Sequence, residues 1–250
     1  MVMPVTDLTP VPVTKVATQF RRIVTDIPVP QSIELIKKLR QVEPQSMSGM
    51  VPIVWHQAQG FLVRDPYGNQ WIDLSSGIVV ANCGHAHPLI VEAIRSQLES
   101  PLLFTYAYPS DVRRRFLERL VSLAPPQLNK AILFSSGTEA NECAISLMRH
   151  HGQKISPKKI RIISLEGNYF GRTLAAKAAG SDQGLVDGIH RELLGHFQLP
   201  YPTSQGFEAD MASLDLDPES IAGIILESIP GVTTVLYPLE YMQALRAWAT

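Results

Sequence analysis

A run of small and polar residues near the middle of the chain has the composition of an anion-binding site. Ser136, Gly137 and Thr138 follow a short apolar run, residues 131–133, and open a segment with helical periodicity. Ser136 and Glu139 stand three residues apart, which is the spacing of a capping box. The first N–H groups of a helix have no partner inside it, and with the helix dipole they attract phosphate. The segment predicts a strand, a turn and a phosphate-binding helix; a capped helix without a ligand is the alternative.

The helix after this turn should bury the apolar side chains that recur every three or four residues along it. These side chains are Ala140, Cys143, Ala144, Leu147 and Met148. Cys143 is then a small core residue. The chain has two cysteines in all, which is too few for a disulfide framework or a cysteine zinc site.

Two further segments place chemically useful side chains at the ends of predicted strands. The strand 160–164 precedes Tyr169, and the strand 221–226 ends in Glu227. Strands alternate with helices in this half of the chain, which predicts a mainly parallel sheet with helices on both faces. Ligands of such sheets bind beyond the carboxyl ends of the strands. We therefore expect the Ser136 turn, Tyr169 and Glu227 to meet at one edge of the sheet.

Periodicity and stop signals give the other elements that must position these residues. We predict an extended or partly disordered arm over 1–30, a helix over 32–42 capped by Ser32, a hairpin over 60–74, and helices over 88–98 and 111–123. A further helix, 239–248, shows no stop signal before Thr250. His85 and His87 precede the helix at residue 88 and have the residue type of a metal pair. No Cys, Asp or Glu cluster supports them, so turn and helix-start structure is the better interpretation.

Four segments of the chain, taken together, resemble the class III aminotransferases, which are pyridoxal-phosphate enzymes of fold type I. They begin at Ser76, Ser136, Gly167 and Ile221, and the resemblance runs from about Gly60 to the end of the chain. The Ser-Gly-Thr-Glu-Ala-Asn run is its most specific part. It implies an α/β fold whose mainly parallel sheet has helices on both faces, preceded by an N-terminal helix and hairpin. We predict an N-terminal segment over 1–75 and the first part of the large cofactor-binding domain over 76–250.

The resemblance assigns cofactor roles to five residues. It implies that Ser136, Gly137 and Thr138 bind the phosphate of pyridoxal 5′-phosphate, that Tyr169 stacks on its ring, and that Glu227 lies near the cofactor. A glycine permits close backbone approach, a threonine adds a hydroxyl donor, and an aromatic side chain stacks well on a planar ring. The alternative for the two aromatic residues, Tyr169 and Phe170, is a place in the core.

The same resemblance suggests two substrate-binding residues. It implies that Arg172 binds a substrate carboxylate, for which a guanidinium group is well shaped; a structural ion pair with Glu166 or Asp182 is the alternative. It also matches Ile78 to a residue that lines the substrate pocket, and a plain core isoleucine is the alternative.

Several residues depart from the family pattern. Phe170 stands where a His is usual, Ser228 where a Pro is usual, Pro230 where a Gln is usual, and Val232 where a second Glu is frequent. The missing Glu puts in doubt the usual two-carboxylate substrate switch. The amino donor therefore stays open among ω-amino acids, amines and diamino acids such as 4-aminobutyrate or acetylornithine.

The family's covalent chemistry is expected to lie outside this sequence. In the family, an Asp and then a Lys that binds the cofactor covalently follow the Glu227 segment, beyond Thr250. The lysines after residue 76 do not match that position: Lys130, Lys154, Lys158, Lys159 and Lys177. We expect a fragment of a longer enzyme, inactive alone and without a catalytic residue of its own; a truncated, non-catalytic protein is the alternative.

The resemblance implies a homodimeric transaminase that moves an amino group from a donor to a 2-oxo acid. An aminomutase, racemase or decarboxylase of the same fold is the nearest alternative. A nucleotide-phosphate-binding module is disfavoured because the sequence has no Gly-Lys-Thr or Gly-x-Gly-x-x-Gly motif.

Composition is that of an ordinary globular protein. Of 250 residues, 45% are hydrophobic and 18% charged, and the net charge is -1. The densest basic cluster, Arg113–Arg115, lies on an amphipathic helical pattern, so it favours a solvated helix face over a nucleic-acid surface. No run approaches the roughly 20 apolar residues of a membrane span, and no signal-type segment opens the chain. We predict a cytoplasmic protein.

Overall fold

The structure, a computed structural model, describes residues 6–100, 102, 105, 107–181, 194–202 and 206–250. The chain folds into two compact units, with a boundary between Leu120 and Val121. The predicted division after residue 75 stays a prediction.

The first unit contains a five-stranded antiparallel sheet. Its strands are β1 (Val16–Ala17), β2 (Arg22–Ile23), β3 (Gln57–Gln59), β4 (Leu62–Arg64) and β5 (Gln70–Ile72), in the order β1-β2-β5-β4-β3. The predicted hairpin is present, since β4 pairs with β5 in a register that sets Val63 opposite Trp71. The arm is not merely extended, because β1 and β2 join this sheet through backbone pairing that sequence periodicity does not reveal.

The turn of the hairpin is closed by a buried carboxylate. Asp65 Oδ1 accepts hydrogen bonds from Tyr67 N at 2.9 Å and Asn69 N at 2.8 Å, and its Oδ2 accepts one from Asn69 Nδ2 at 2.7 Å. Gly68 supplies the positive φ that the turn requires, at 93°. Asp and Gly are typical turn residues, and for this reason the turn could be predicted from the sequence.

Three helices of this part of the chain match predicted segments, with one correction at Ser32, and the single turn α2 was not predicted. They are α1 (Ile33–Val42), the single turn α2 (Ser76–Val79), α3 (Pro88–Leu98) and α4 (Asp111–Leu123), which contains the unit boundary. Ser32 was expected to cap α1, but its side chain makes no cap bond. A 3₁₀ turn, Pro30–Ser32, precedes the helix, and Ser32 Oγ donates back to Val29 O at 2.7 Å instead.

The second unit is a three-stranded parallel sheet covered by helices on both faces. The strands are β6 (Arg161–Leu165), β7 (His196–Leu199) and β8 (Ile221–Ile224), in the order β7-β6-β8. The helices are α5 (Gly137–Ile155), α6 (Leu174–Ala179), α7 (Phe207–Ser213) and α8 (Leu239–Trp248). The predicted parallel sheet with helices on both faces is thus confirmed for this unit.

Alternation along β6 builds two cores. Ile163 and Leu165 pack on one face with Phe207 of α7 and Tyr241 of α8. The other face of β6 carries Ile162, which packs against α5 and α6. Each fully buried side chain of this size contributes about 1.5–3 kcal/mol of transfer free energy. Because β6 supplies such side chains to both cores, it is the central element of the unit.

Helix α5 buries a face that overlaps the predicted one only in part. Met148 of the predicted face packs against the core, but the buried residues are Ile145 and Gly152, and Leu147 is largely exposed. Two glycines explain the choice: an added Cβ would lie 2.2 Å from Lys159 O at Gly152 and 2.3 Å from Met148 Sδ at Gly223. These close approaches let the Ile145 side of α5 pack on β6 and β8. Periodicity alone does not distinguish that side of the helix from the Leu147 side.

The expected strand over 131–133 is absent. Residues 131–134 have no strand assignment and are exposed, and their backbone has no ladder partner among the described residues. An apolar run can occupy a strand only where a neighbouring strand satisfies its N–H and C=O groups.

We expect a Gly152→Ala substitution to lower the free energy of unfolding by about 1–3 kcal/mol, because its Cβ would lie 2.2 Å from the backbone carbonyl oxygen of Lys159 and one of the two segments must shift. Urea denaturation measures the change. Gly137→Ala is the matched control, since a Cβ there meets nothing within 4 Å. Equal stability of the two variants would contradict the packing argument.

Candidate functional site

The turn before α5 is a complete capping box, as predicted. Ser136 Oγ accepts a hydrogen bond from Glu139 N at 3.2 Å, and Glu139 Oε2 accepts one from Ser136 N at 2.9 Å. The reciprocal pair satisfies the N–H groups of these two residues. It leaves the N–H groups of Gly137 and Thr138, between them, to be satisfied by something else.

Neither of those two N–H groups has a hydrogen-bond partner among the described residues. They open a helix of 19 residues, so the positive end of a long helix dipole adds to their attraction for an anion. A Cβ added at Gly137 meets nothing within 4 Å. The surroundings within the second unit therefore do not demand a glycine there, and the space over it is open to an external group.

The segment that holds Tyr169 lies directly against this helix start. A Cβ at Gly171 would stand 2.3 Å from Thr138 Oγ1, so the two backbones approach closely. Asn141 Nδ2 donates to Phe170 O at 2.7 Å. The glycine at 171 is required both by this approach and by its φ of 133°.

The two aromatic residues of the segment have different environments. Phe170 is 4% exposed and packs in the core with Ile145 and Ile162, whereas Tyr169 is 40% exposed. The core alternative therefore holds for Phe170 and fails for Tyr169. Burial also gives a physical reason for a Phe at position 170, where the family pattern predicts a His.

Glu227 fixes the Tyr169 segment to the end of β8. Its Oε2 accepts a hydrogen bond from Tyr169 N at 2.8 Å, and its Oε1 accepts one from Gly231 N at 3.2 Å. The carboxylate thus anchors the backbone that carries the exposed ring. The structure brings together the Ser136 turn, Tyr169 and Glu227, although no strand leads into the first of them.

Sequence reasoning missed Asn168, which is buried beside Tyr169. Asn168 Oδ1 accepts from Glu227 N at 2.6 Å, and its Nδ2 donates to the Tyr237 hydroxyl. Burial raises the pKa of Tyr237, so the phenol stays protonated at neutral pH. These partners are 59 and 69 residues away along the chain, and no local pattern signals them.

Arg172 is exposed and makes no ion pair with any described residue, Glu166 included; Asp182 lies outside the described residues. Its neighbour Thr173 is held by Glu142 of α5, whose Oε1 accepts from Thr173 Oγ1 and from Ala175 N at 3.0 Å. Glu142, whose role was not predicted from the sequence either, caps the start of α6.

Ile78 belongs to the other compact unit. It is 58% exposed, which argues against a plain core isoleucine. It lies in α2, where φ is positive at every residue. In the same unit His85, one of the two histidines before α3, bonds Asp73 through Nε2 at 2.7 Å.

Neither a metal cluster nor a membrane span is present in the described part of the chain. It contains no group of three or more His, Cys, Asp or Glu side chains able to hold a metal ion. None of its helices combines the length and apolarity needed to cross a bilayer.

Comparison with known proteins identifies the family. The family model described as Aminotransferase class-III matches residues 44–250. The chain belongs to the class III aminotransferase family. Class III aminotransferases depend on pyridoxal 5′-phosphate, and the α/β fold predicted from the sequence is the one that they share.

Individual relatives agree with this assignment. The chain is 31% identical over 198 residues to an acetylornithine aminotransferase of Agrobacterium fabrum, covering 78% of this chain and 48% of the relative. It is 31% identical over 190 residues to an ornithine aminotransferase of Exiguobacterium sp., covering 75% of this chain and 46% of the relative. The chain therefore spans about half the length of the curated relatives it matches.

A solved structure shows the same fold. The taurine:2-oxoglutarate aminotransferase of Bifidobacterium kashiwanohense, in complex with PLP and glutamate, superposes with a TM-score of 0.69 at 28% identity. The match covers 86% of this chain and 52% of that one.

The residues of the second unit fit the family cofactor. Two N–H groups at a helix start suit its phosphate, the open space over Gly137 admits a bulky anion, and the exposed Tyr169 ring offers a wall for its pyridine ring.

Proposed function

We propose that the protein is a pyridoxal-phosphate-dependent transaminase that works as a cytoplasmic homodimer. It moves an amino group between a 2-oxo acid and a donor that is an ω-amino acid, an amine or a diamino acid. The observation that carries the proposal is the start of α5, where two N–H groups without a partner in the described part of the chain stand beside the exposed ring of Tyr169. Residues 76–250 then form the first part of the cofactor domain, after an N-terminal segment over 1–75.

The chain's own residues bind and orient in this proposal. Ser136, Gly137 and Thr138 hold the phosphate, Tyr169 covers one face of the ring, and Glu227 keeps Tyr169 in place through its backbone N–H. When bound, the cofactor withdraws electrons from the carbon that bears the amino group. None of the lysines after residue 76 matches the family's cofactor-binding lysine, so we expect residues 1–250 alone to be inactive.

Arg172 is the proposed carboxylate-binding residue. Its guanidinium is exposed and uncommitted within the described part of the chain, while Glu142 holds the adjacent Thr173. A planar fork on a fixed backbone suits a carboxylate, which it can bind through two parallel hydrogen bonds.

The test is an absorption spectrum of the complete gene product with added pyridoxal 5′-phosphate, followed by a panel of amines. A visible band that a donor bleaches and a 2-oxo acid restores would support transamination and identify the donor class. A band that persists while product forms without a 2-oxo acid would favour an aminomutase, racemase or decarboxylase. No band in excess cofactor would favour a non-catalytic protein.

We expect Arg172→Ala to raise the KM of the 2-oxo acid about 10- to 100-fold, because hydrogen bonds between charged groups are lost. Steady-state kinetics at saturating donor measures the change. Arg246→Ala, which removes an exposed guanidinium from α8, is the control. A KM unaffected by Arg172→Ala would exclude the substrate role.

A further inference from the structure

The turn that carries Ile78 has a backbone conformation that side chains normally avoid. The φ angles of Ser76, Gly77, Ile78 and Val79 are 52°, 62°, 63° and 56°. Glycine adopts such angles freely, but they are genuine outliers for the two β-branched residues. A conformation of this kind persists only where surrounding contacts over-determine it, and such sites cluster where ligands bind.

A single carboxylate supplies most of those contacts. Asp73 Oδ1 accepts from Ser75 N at 2.9 Å and from Ser75 Oγ at 2.6 Å, and Oδ2 accepts from Gly77 N at 2.8 Å. His85 Nε2 lies 2.7 Å from the same Oδ2. The Asp73 side chain is 4% exposed. Hydrogen bonds from the Ser75 hydroxyl and from His85 hold the pKa of Asp73 far below its usual range, so the carboxylate is charged and His85 Nε2 is the donor.

His85 is itself fixed on the hairpin. Its backbone N and O both bond to Gly60, at 2.8 Å each, and its ring meets Trp55 edge-on with centroids 5.5 Å apart. Asp73 N donates to Phe61 O at 2.8 Å. Asp73 and His85 are therefore both fixed to the hairpin through their backbones, and the turn from Ser75 to Gly77 curves around the Asp73 carboxylate.

The result is a turn that displays apolar side chains. Ile78 is 58% exposed and lies beside a cavity of about 500 Å³ in the first unit. Apolar side chains dominate the lining of this cavity, among them Met50, Trp55 and Trp71. A strained backbone that leaves an isoleucine exposed does not increase stability, so contact of the isoleucine with a ligand explains the strain better.

We propose that Asp73 and His85 are positioning residues that set the conformation of the Ile78 turn and thereby the affinity for the amino donor. The inference rests on the proposed function and on the prediction, made from the family resemblance, that Ile78 lines the substrate pocket. If the turn relaxes, only the fraction of molecules that still hold Ile78 in place binds donor well, and the apparent affinity falls by that fraction.

The turn closed by Asp65 provides a matched control. Asp65 is also buried and also accepts several hydrogen bonds across a tight turn of the same unit. The positive φ of the Asp65 turn falls on Gly68, so no residue with a side chain is strained there. No substrate contact is predicted for that turn. A merely structural carboxylate should behave like Asp65.

The experiment compares Asp73→Asn, His85→Ala, His85→Gln and Asp65→Asn in the complete gene product loaded with pyridoxal 5′-phosphate. We expect Asp73→Asn and His85→Ala to raise the KM of the amino donor about tenfold with kcat changed less than about threefold. His85→Gln, which keeps an N–H donor for Asp73, should restore a nearly native KM. Asp65→Asn should leave the donor KM unchanged.

Hydrogen exchange provides a readout that does not depend on activity. In Asp73→Asn the amides of Ser75 and Gly77 should exchange at least about tenfold faster, while the amide of Asn69 stays protected. The inference is overturned if exchange at these two amides is native-like, or if Asp65→Asn raises the donor KM as much as Asp73→Asn. Failure of the proposed function looks different: the native protein would transfer no amino group, whereas exchange in Asp73→Asn would still report whether the carboxylate holds the turn.

Discussion

A Gly171→Ala variant is expected to lose most of its affinity for pyridoxal 5′-phosphate together with part of its stability. A Cβ at this position would lie 2.3 Å from Thr138 Oγ1 and 2.8 Å from Thr138 Cβ, at a φ of 133°. Because the Cβ of Thr138 is itself too close, Thr138 cannot move away from the added methyl group without shifting the start of α5, which is the proposed phosphate site. Overpacking and the forbidden φ together should cost about 2–5 kcal/mol.

Urea denaturation and a cofactor titration followed by absorbance measure the two effects, and we expect the Kd for the cofactor to rise at least about tenfold. Gly180→Ala is the control, because its Cβ would meet only ordinary contacts, the nearest 3.4 Å away. A destabilised Gly171→Ala protein that still bound the cofactor with native affinity would argue that the phosphate does not sit at the start of α5.

The second large effect is expected for Glu227→Gln. The carboxylate accepts one N–H on each oxygen, from Tyr169 and from Gly231. A glutamine has only one acceptor oxygen, and its amide nitrogen would face the other N–H. Losing a hydrogen bond to a charged group costs about 1.5–3 kcal/mol, and the freed Tyr169 should weaken cofactor binding by about tenfold.

The Glu227 experiment needs a second pair of variants to locate the effect. Tyr169→Phe should bind the cofactor almost as the native protein does, whereas Tyr169→Ala should match or exceed the loss in Glu227→Gln, because only the alanine removes the ring. Glu240→Gln on the exposed start of α8 controls for the change in net charge. Native cofactor affinity in Tyr169→Ala would show that the exposed ring is not the cofactor wall.

The sequence by itself determined the features that depend on neighbours within a few residues. The capping box joins residues three apart, and the hairpin turn is closed by Asp65 and Asn69 four apart. Helices α3 and α4 coincide with the segments predicted from helical periodicity and, for α4, from the prolines at 125 and 126. These interactions form whenever the chain takes up local structure, so residue type and spacing are sufficient to predict them.

Only the tertiary structure decided the rest. The buried face of α5 depends on how closely Gly152 and Gly223 let other elements approach, and the run at 131–133 is no strand because no neighbour among the described residues satisfies its backbone. Asn168 meets Tyr237 across 69 residues, and Glu142 caps α6 from α5. Hydrogen bonding and close packing between distant segments depend on three-dimensional proximity, which residue order does not encode locally. For this reason the capping box at the start of α5 could be predicted from the chain, whereas Asn168 and Glu142, which hold the neighbouring segments in place, could not.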